Sequence, residues 1–89
     1  MNTVWSTLIQ GAEMLDQTRA LRFCDRFRDR YLAAFAIPYG IEILEIGFGT
    51  GTLSRSLKRW YPYSRIVGLD RNSAFVEFAS VRAPEMQYI

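Results

Sequence analysis

The feature that most constrains this chain is residues 41–51, Ile-Glu-Ile-Leu-Glu-Ile-Gly-Phe-Gly-Thr-Gly. Ile41, Ile43, Leu44 and Ile46 give it the apolar, β-rich character of a buried strand. Gly47, Gly49 and Gly51 then leave three alternate positions without a Cβ. Such a backbone turns sharply and lets a ligand lie against it at van der Waals distance. Helical pattern resumes at Thr52, so the turn aims a helix N-terminus, with its free N–H groups, at whatever sits there. Strand, glycine turn and helix in this order form the first half of a cofactor-binding βαβ unit.

The flanking pattern extends the unit. Upstream, Val4, Trp5, Leu8, Ile9 and Ala12 recur at helical spacing and predict a short amphipathic helix over residues 2–12, weakened at its end by Gly11. Asp16 or Thr18 is expected to cap a second helix over residues 18–36. Its core stripe would be Leu21, Cys24, Phe27, Tyr31, Ala34 and Phe35. Arg19, Arg22, Arg26, Arg30, Asp25 and Asp29 would form a solvated face of i,i+3 and i,i+4 pairs. Pro38 and Gly40 end that helix.

Downstream, Leu53, Leu57 and Trp60 or Tyr61 mark the inner face of a helix over residues 52–61, stopped by Pro62. A second strand spans residues 65–70, with Asp70 at its carboxyl end. Ser73 is placed to cap a third core helix, with Phe75, Val76, Ala79 and Ala83 inward and Pro84 at its end. A third strand is expected over residues 86–89. Strands alternating with helices predict a parallel sheet with right-handed crossovers, an α/β fold preceded by two helices.

Composition narrows the function. With 89 residues, the chain is expected to form a single small domain, helical over 1–38 and α/β from 41–89. Hydrophobic residues make up 49% and charged residues 22%, a globular balance. A net charge of +2 is too small to argue for nucleic acid or a membrane surface. Cys24 is the only cysteine and reads as a small core residue; with no histidine, neither an internal disulfide, a zinc site nor a hydrolytic triad is expected. No apolar run reaches the length of a membrane span, and the first residues lack the pattern of a signal peptide, so a cytoplasmic setting is the default expectation.

The glycine spacing selects among ligands. A dinucleotide fingerprint is Gly-x-Gly-x-x-Gly, whereas here Gly47-x-Gly49-x-Gly51 is followed by Thr52 where the third glycine belongs. A P-loop needs a Lys-Ser or Lys-Thr pair after its last glycine, and Thr52-Leu53 offers none. The stretch Leu44-Glu45-Ile46-Gly47-Phe48-Gly49-Thr50-Gly51 resembles the first motif of the class I (Rossmann-like) S-adenosylmethionine (SAM)-dependent methyltransferases. Ile66-Val67-Gly68-Leu69-Asp70 resembles that family's acidic second motif, and Asp70-Arg71-Asn72-Ser73 continues in kind.

The resemblance implies a SAM site formed by Glu45, Gly47, Phe48, Gly49, Thr50, Gly51, Asp70 and Arg71. Asp70 would accept hydrogen bonds from the ribose hydroxyls and Glu45 would lie beside the methionine portion. The glycine-turn backbone would line the cofactor, and the helix N-terminus at Thr52 suits its carboxylate. By position alone, Tyr31 or Arg30 would approach a substrate. In the family, the adenine-binding acidic position and the catalytic residues follow the third strand, so no catalytic residue is assigned. The expectation is therefore an incomplete SAM-binding methyltransferase domain, the N-terminal, cofactor-binding part. The competing readings are a non-catalytic SAM-binding or dimerisation module, forming a homodimer through an exposed sheet edge, and a fragment of an NAD-binding oxidoreductase.

Overall fold

The computed structural model describes residues 2–38 and 40–89, with side chains described from Gln10 onward apart from Tyr39. The order of elements is α1 (Asn2–Ala20), a 3-10 turn (Asp25–Phe27), α2 (Arg28–Phe35), β1 (Glu42–Ile46), α3 (Thr52–Trp60), β2 (Arg65–Leu69), α4 (Ser73–Arg82) and β3 (Gln87–Tyr88). The three strands form a parallel sheet in the order β1-β2-β3. The expected α/β architecture and the three core strands are therefore present.

Strand register explains where the core lies. Side chains alternate across a strand, so paired residues in a parallel ladder share a face. Ile43 pairs with Ile66, Glu45 with Gly68, and Gly68 with Tyr88. This face is covered by both crossover helices. Ile66 packs with Leu57 and Trp60 of α3, and Tyr88 packs with Phe48 and with Ala79 and Ala83, the last turn of α4 and the residue after it. Phe75 and Val76 pack against the second of these groups. A Cβ on Gly68 would come within 2.6 Å of Tyr88 and 2.8 Å of Phe48, so only glycine lets these two rings close over β2. The opposite face carries Leu44, Ile46, Leu69 and Ile89, and all four are exposed.

The N-terminal helices depart from expectation. One helix of 19 residues, α1, replaces the short helix over residues 2–12 and the start of the second. The side chains of Val4, Trp5, Leu8 and Ile9 lie outside the described residues, while Ala12 is buried as expected. Asp16 and Thr18 do not cap a helix. Asp16 is buried inside α1's contact with α3, and Thr18 Oγ1 donates back to the Met14 carbonyl one turn earlier. Packing of α1 on α3 and α4 keeps the helix continuous through Gly11, overriding the local signal.

The expected helix over residues 18–36 breaks at residues 21–24. Leu21, placed in its core stripe, is 74% exposed, and Ala34 and Phe35 are exposed as well. The break has tertiary causes. Ser56 Oγ donates to the Phe23 carbonyl, and the Trp60 indole N–H donates to Asp25 Oδ1 at 2.8 Å. Tyr31 stacks on Trp60 with ring centroids 5.6 Å apart and 18° between planes. A straight helix would not bring Phe23, Asp25 and Tyr31 to one end of α3. Ser73, expected as the cap of α4, is its first residue. Asn72 is the cap, its Oδ1 accepting from the Ala74 and Phe75 N–H groups.

Candidate functional site

The glycine turn leaves β1 at its carboxyl end and enters α3. Gly47, Gly49 and Gly51 all have positive φ, at 72°, 60° and 85°. Non-glycine residues avoid this region, so alternate positions of the turn require glycine. The turn is tied to the sheet by the Gly47 N–H, which donates to the Leu69 carbonyl at 2.7 Å. Gly51 is the N-cap of α3 and no side chain caps that helix, which leaves its first-turn N–H groups directed at the turn.

Asp70 follows β2 and its carboxylate is held against the turn. Oδ2 accepts the Gly49 N–H at 3.0 Å, and Oδ1 accepts the Asn72 N–H at 2.9 Å. The two linked motifs are 21 residues apart in sequence and meet through this first bond. Glu45 lies on the covered face of β1, where its carboxylate accepts from the Ser54 hydroxyl in the first turn of α3. Burial pushes its pKa up, and the Ser54 hydrogen bond and the Arg19 charge oppose that rise.

The remaining expected site residues divide into two groups. The Phe48 ring is 1% exposed and packs against Tyr88 with centroids 4.6 Å apart. Thr50 is fully buried, its hydroxyl 3.1 Å from that of Thr52. Contact of these two with a ligand would therefore be through backbone. Arg71, by contrast, is exposed beside Asp70. Tyr31 is not brought to the turn: it stacks at the Trp60 end of α3, the opposite end of the helix.

The structure adds two residues of α1 that the sequence reading set aside. Asp16 accepts from Thr52 Oγ1 at 2.7 Å and from the Arg55 guanidinium, which also donates to the Thr50 carbonyl at 3.0 Å. Burial works against the Asp16 charge, but the hydrogen bonds from Thr52 and Arg55 and the Arg55 charge together outweigh it and hold its pKa down. One turn on, Arg19 lies over Gly49: a Cβ built there would be 2.4 Å from Arg19 Nη1. The available signal was spacing. Asp16 and Arg19 continue the stripe of Ala12 at steps of four and three, and charges on an apolar stripe seldom stay buried without partners.

Glycines at positive φ, a carboxylate on the turn's backbone and an uncapped helix N-terminus form a turn whose backbone a ligand can approach closely. Solved structures share this arrangement of elements. The chain is similar to a TehB-like SAM-dependent methyltransferase from Corynebacterium glutamicum, with a TM-score of 0.68 and 20% identity over 94% of this chain and 44% of that one. A SAM-dependent methyltransferase from Aquifex aeolicus gives a TM-score of 0.67 and 19% identity over 85% and 40%. The chain shares the α/β, Rossmann-like fold of these methyltransferase structures.

Curated relatives agree with that methyltransferase fold. Trans-aconitate 2-methyltransferase of Enterobacter sp. is 34% identical over 58 residues, 65% of this chain and 23% of that protein. Demethylmenaquinone methyltransferase of Thermotoga maritima is 24% identical over 86 residues, 97% and 38% respectively. The chain thus spans less than half the length of these methyltransferases. No protein-family model matches it.

Proposed function

We propose that this chain binds SAM at the glycine turn and is the cofactor-binding part of a methyltransferase. The observation that carries the reading is the Asp70 carboxylate, held beside three positive-φ glycines by the Gly49 N–H. In this reading residues 1–89 are one incomplete SAM-binding domain, helical over 1–38 and Rossmann-like over 41–89. Asp70 accepts from the ribose hydroxyls, Glu45 faces the methionine ammonium, and the backbone of Gly47, Phe48, Gly49, Thr50 and Gly51 lines the cofactor, with Arg71 at its rim. The residues fit such a group: beyond its chain neighbours, nothing lies within 4 Å of a Cβ built on Gly47, and Gly49 is met only by the end of the Arg19 side chain.

When bound, SAM supplies an electrophilic methyl group on a sulfonium. The chain's own residues hold and orient it, which is the larger part of what an in-line methyl transfer requires. The acceptor and the residues that read it belong to the whole enzyme. A cytoplasmic setting is part of the proposal. It is supported by the single cysteine, and among the described residues no helix is long and apolar enough to cross a membrane.

Calorimetry with SAM, S-adenosylhomocysteine and NADH tests the reading. Binding of the first two is expected, and tight NADH binding without SAM binding overturns it. Asp70→Ala is expected to weaken S-adenosylhomocysteine by about tenfold or more, the scale of a charge-assisted hydrogen-bonded pair. Unchanged affinity removes Asp70 from the ribose.

The bare sheet face and free strand edges favour a second reading, a non-catalytic SAM-binding or dimerisation module. Among the described residues, neither β1 nor β3 has a partner on its outer edge. Sedimentation over a range of concentrations separates the readings. A concentration-dependent homodimer supports pairing through a free strand edge, and a concentration-independent monomer rules it out.

A further inference from the structure

We propose that the exposed end of the aromatic stack on α2, together with the arginines of residues 22–30, binds single-stranded nucleic acid. Trp60, Tyr31 and Phe35 form a ladder of nearly parallel rings. The Tyr31 centroid lies 5.6 Å from that of Trp60, with 18° between planes, and 5.7 Å from that of Phe35, with 23°. Exposure rises along the ladder, from 5% at Trp60 through half-buried Tyr31 to 40% at Phe35. Tyr31 and Phe35 are four residues apart on one helix, so their rings share a face and the later one leans back over the earlier turn. The helix then stops, because Ala36 takes the left-handed conformation at φ 49°. No further helical turn covers Phe35, and no other ring stacks on it among the described residues. The ladder therefore ends in an open aromatic face.

The charge beside that face is concentrated and uncompensated. Residues 22–30 hold Arg22, Arg26, Arg28 and Arg30 against Asp25 and Asp29, an excess equal to the net charge of +2 on the whole chain. Both aspartates are engaged: Asp25 accepts from the Trp60 indole and from Arg59, and Asp29 pairs with Arg28. Arg22, Arg26 and Arg30 are exposed and make no ion pair among the described residues. Arg26 lies instead over the Phe27 ring, 5.7 Å from its centroid. Free cations beside an open ring match a strand of phosphates with unstacked bases: the arginines meet the backbone and Phe35 supplies a stacking surface. A duplex keeps its bases stacked on one another and leaves the ring unused, and an acidic peptide brings charge without a regular series of planar groups. The patch lies at the Trp60 end of α3, opposite the glycine turn, so it stands or falls separately from the cofactor site.

Fluorescence anisotropy of a labelled oligoadenylate RNA of about ten nucleotides, within the usual site size of a small single-strand binder, tests the proposal on the 89-residue chain. Binding is expected to weaken with salt, log K falling against log salt with a slope of about −2 for three phosphate contacts. The triple variant R22A/R26A/R30A is expected to lose most of that slope. F35A is expected to weaken binding about fivefold or more at an unchanged slope, and F35W to restore it. All these changes fall on exposed side chains, and far-UV circular dichroism with a melting curve checks that each variant is folded. No binding by the wild type at low salt overturns the proposal. Equal affinity for an oligoadenylate–oligouridylate duplex, or an F35A variant that binds like wild type, overturns the stacking role and the preference for single strands with it. Binding of phosphatidylserine vesicles without binding of the oligonucleotide assigns the patch to a membrane surface and overturns it as well.

Discussion

The two faces of the sheet are built from the same kinds of residue and end in opposite environments. On one face Ile66 and Tyr88 are buried at 4% and 9% exposure under α3 and α4. On the other, Leu44 and Ile46 are 60% and 76% exposed, with Leu69 at 42% and Ile89 at 56%. The cause is topological. Both crossovers, β1 to β2 and β2 to β3, advance the same way across the sheet, so their helices pack on one side. Parallel sheets elsewhere are covered on both faces. The comparison teaches that the side chains gathered around the glycine turn come from the covered side: Glu45, Ser54, Asp16 and Arg19 all belong to elements or faces on that side.

The largest expected effect is a change that pries the covered face open. Gly68→Ala places a Cβ within 2.6 Å of Tyr88 and 2.8 Å of Phe48. Those rings fill the core beneath the turn, so we expect a loss of about 3 kcal/mol, read by urea or thermal unfolding. A wild-type melting curve would break the account of how this face is closed.

Asp16→Ala attacks the link between α1 and the turn and leaves Arg55 without its carboxylate. A loss of about 2 kcal/mol is expected, read by urea or thermal unfolding. The pH dependence has a defined sign. The folded-state pKa of Asp16 is depressed, so its contribution is present above the ordinary carboxylate range and is lost as pH falls through the folded value. Acid unfolding of the wild type is expected to steepen below about pH 4, and that component is expected to vanish in Asp16→Ala.

Glu45→Gln is expected to act in the opposite direction. Burial raises the Glu45 pKa, so the charged form is a cost to the folded protein at neutral pH. Removing the charge is expected to raise stability by about 1 kcal/mol or less near pH 7 while lowering affinity for S-adenosylhomocysteine. The gain shrinks as pH falls through the raised pKa of Glu45, where the wild-type group takes up a proton. A variant both less stable and equal in affinity would remove Glu45 from the site.

The smallest stability effect is expected on the bare face. Leu44→Thr with Ile46→Thr keeps β propensity on exposed positions and is expected to change stability by about 0.5 kcal/mol or less. Binding of a hydrophobic dye should fall in the same variant. A loss as large as that of Gly68→Ala would show that the two faces are not different after all.

Much of the core was legible because its signals are local. Residues 41–51 read as strand and glycine turn from β-rich apolar residues and alternate glycines, and the turn's positive φ values require those glycines. The bounds of β2 and α3 follow from short periodic runs ended by Pro62 and Asp70. The N-terminal third was misread where long-range contacts overrode local pattern. Asp16 carries the local mark of a cap, but Thr52 and Arg55, 36 and 39 residues away, use it as a partner inside a continuous helix. Leu21 keeps helical spacing with Cys24 but is exposed, since the chain turns to bring Asp25 and Tyr31 to Trp60.

The order of elements, the glycine spacing and the acidic residue after β2 are therefore properties of neighbouring residues, and the sequence alone decides them. Tertiary structure decided which charged residue of α1 reaches the turn, because a helix face specifies the spacing of Asp16 and Arg19 but not the element they meet. It also decided that Leu44 and Ile46 stay exposed while Ile43 does not. Alternation along a strand assigns residues to two faces, and only the placement of the helices determines which face is covered.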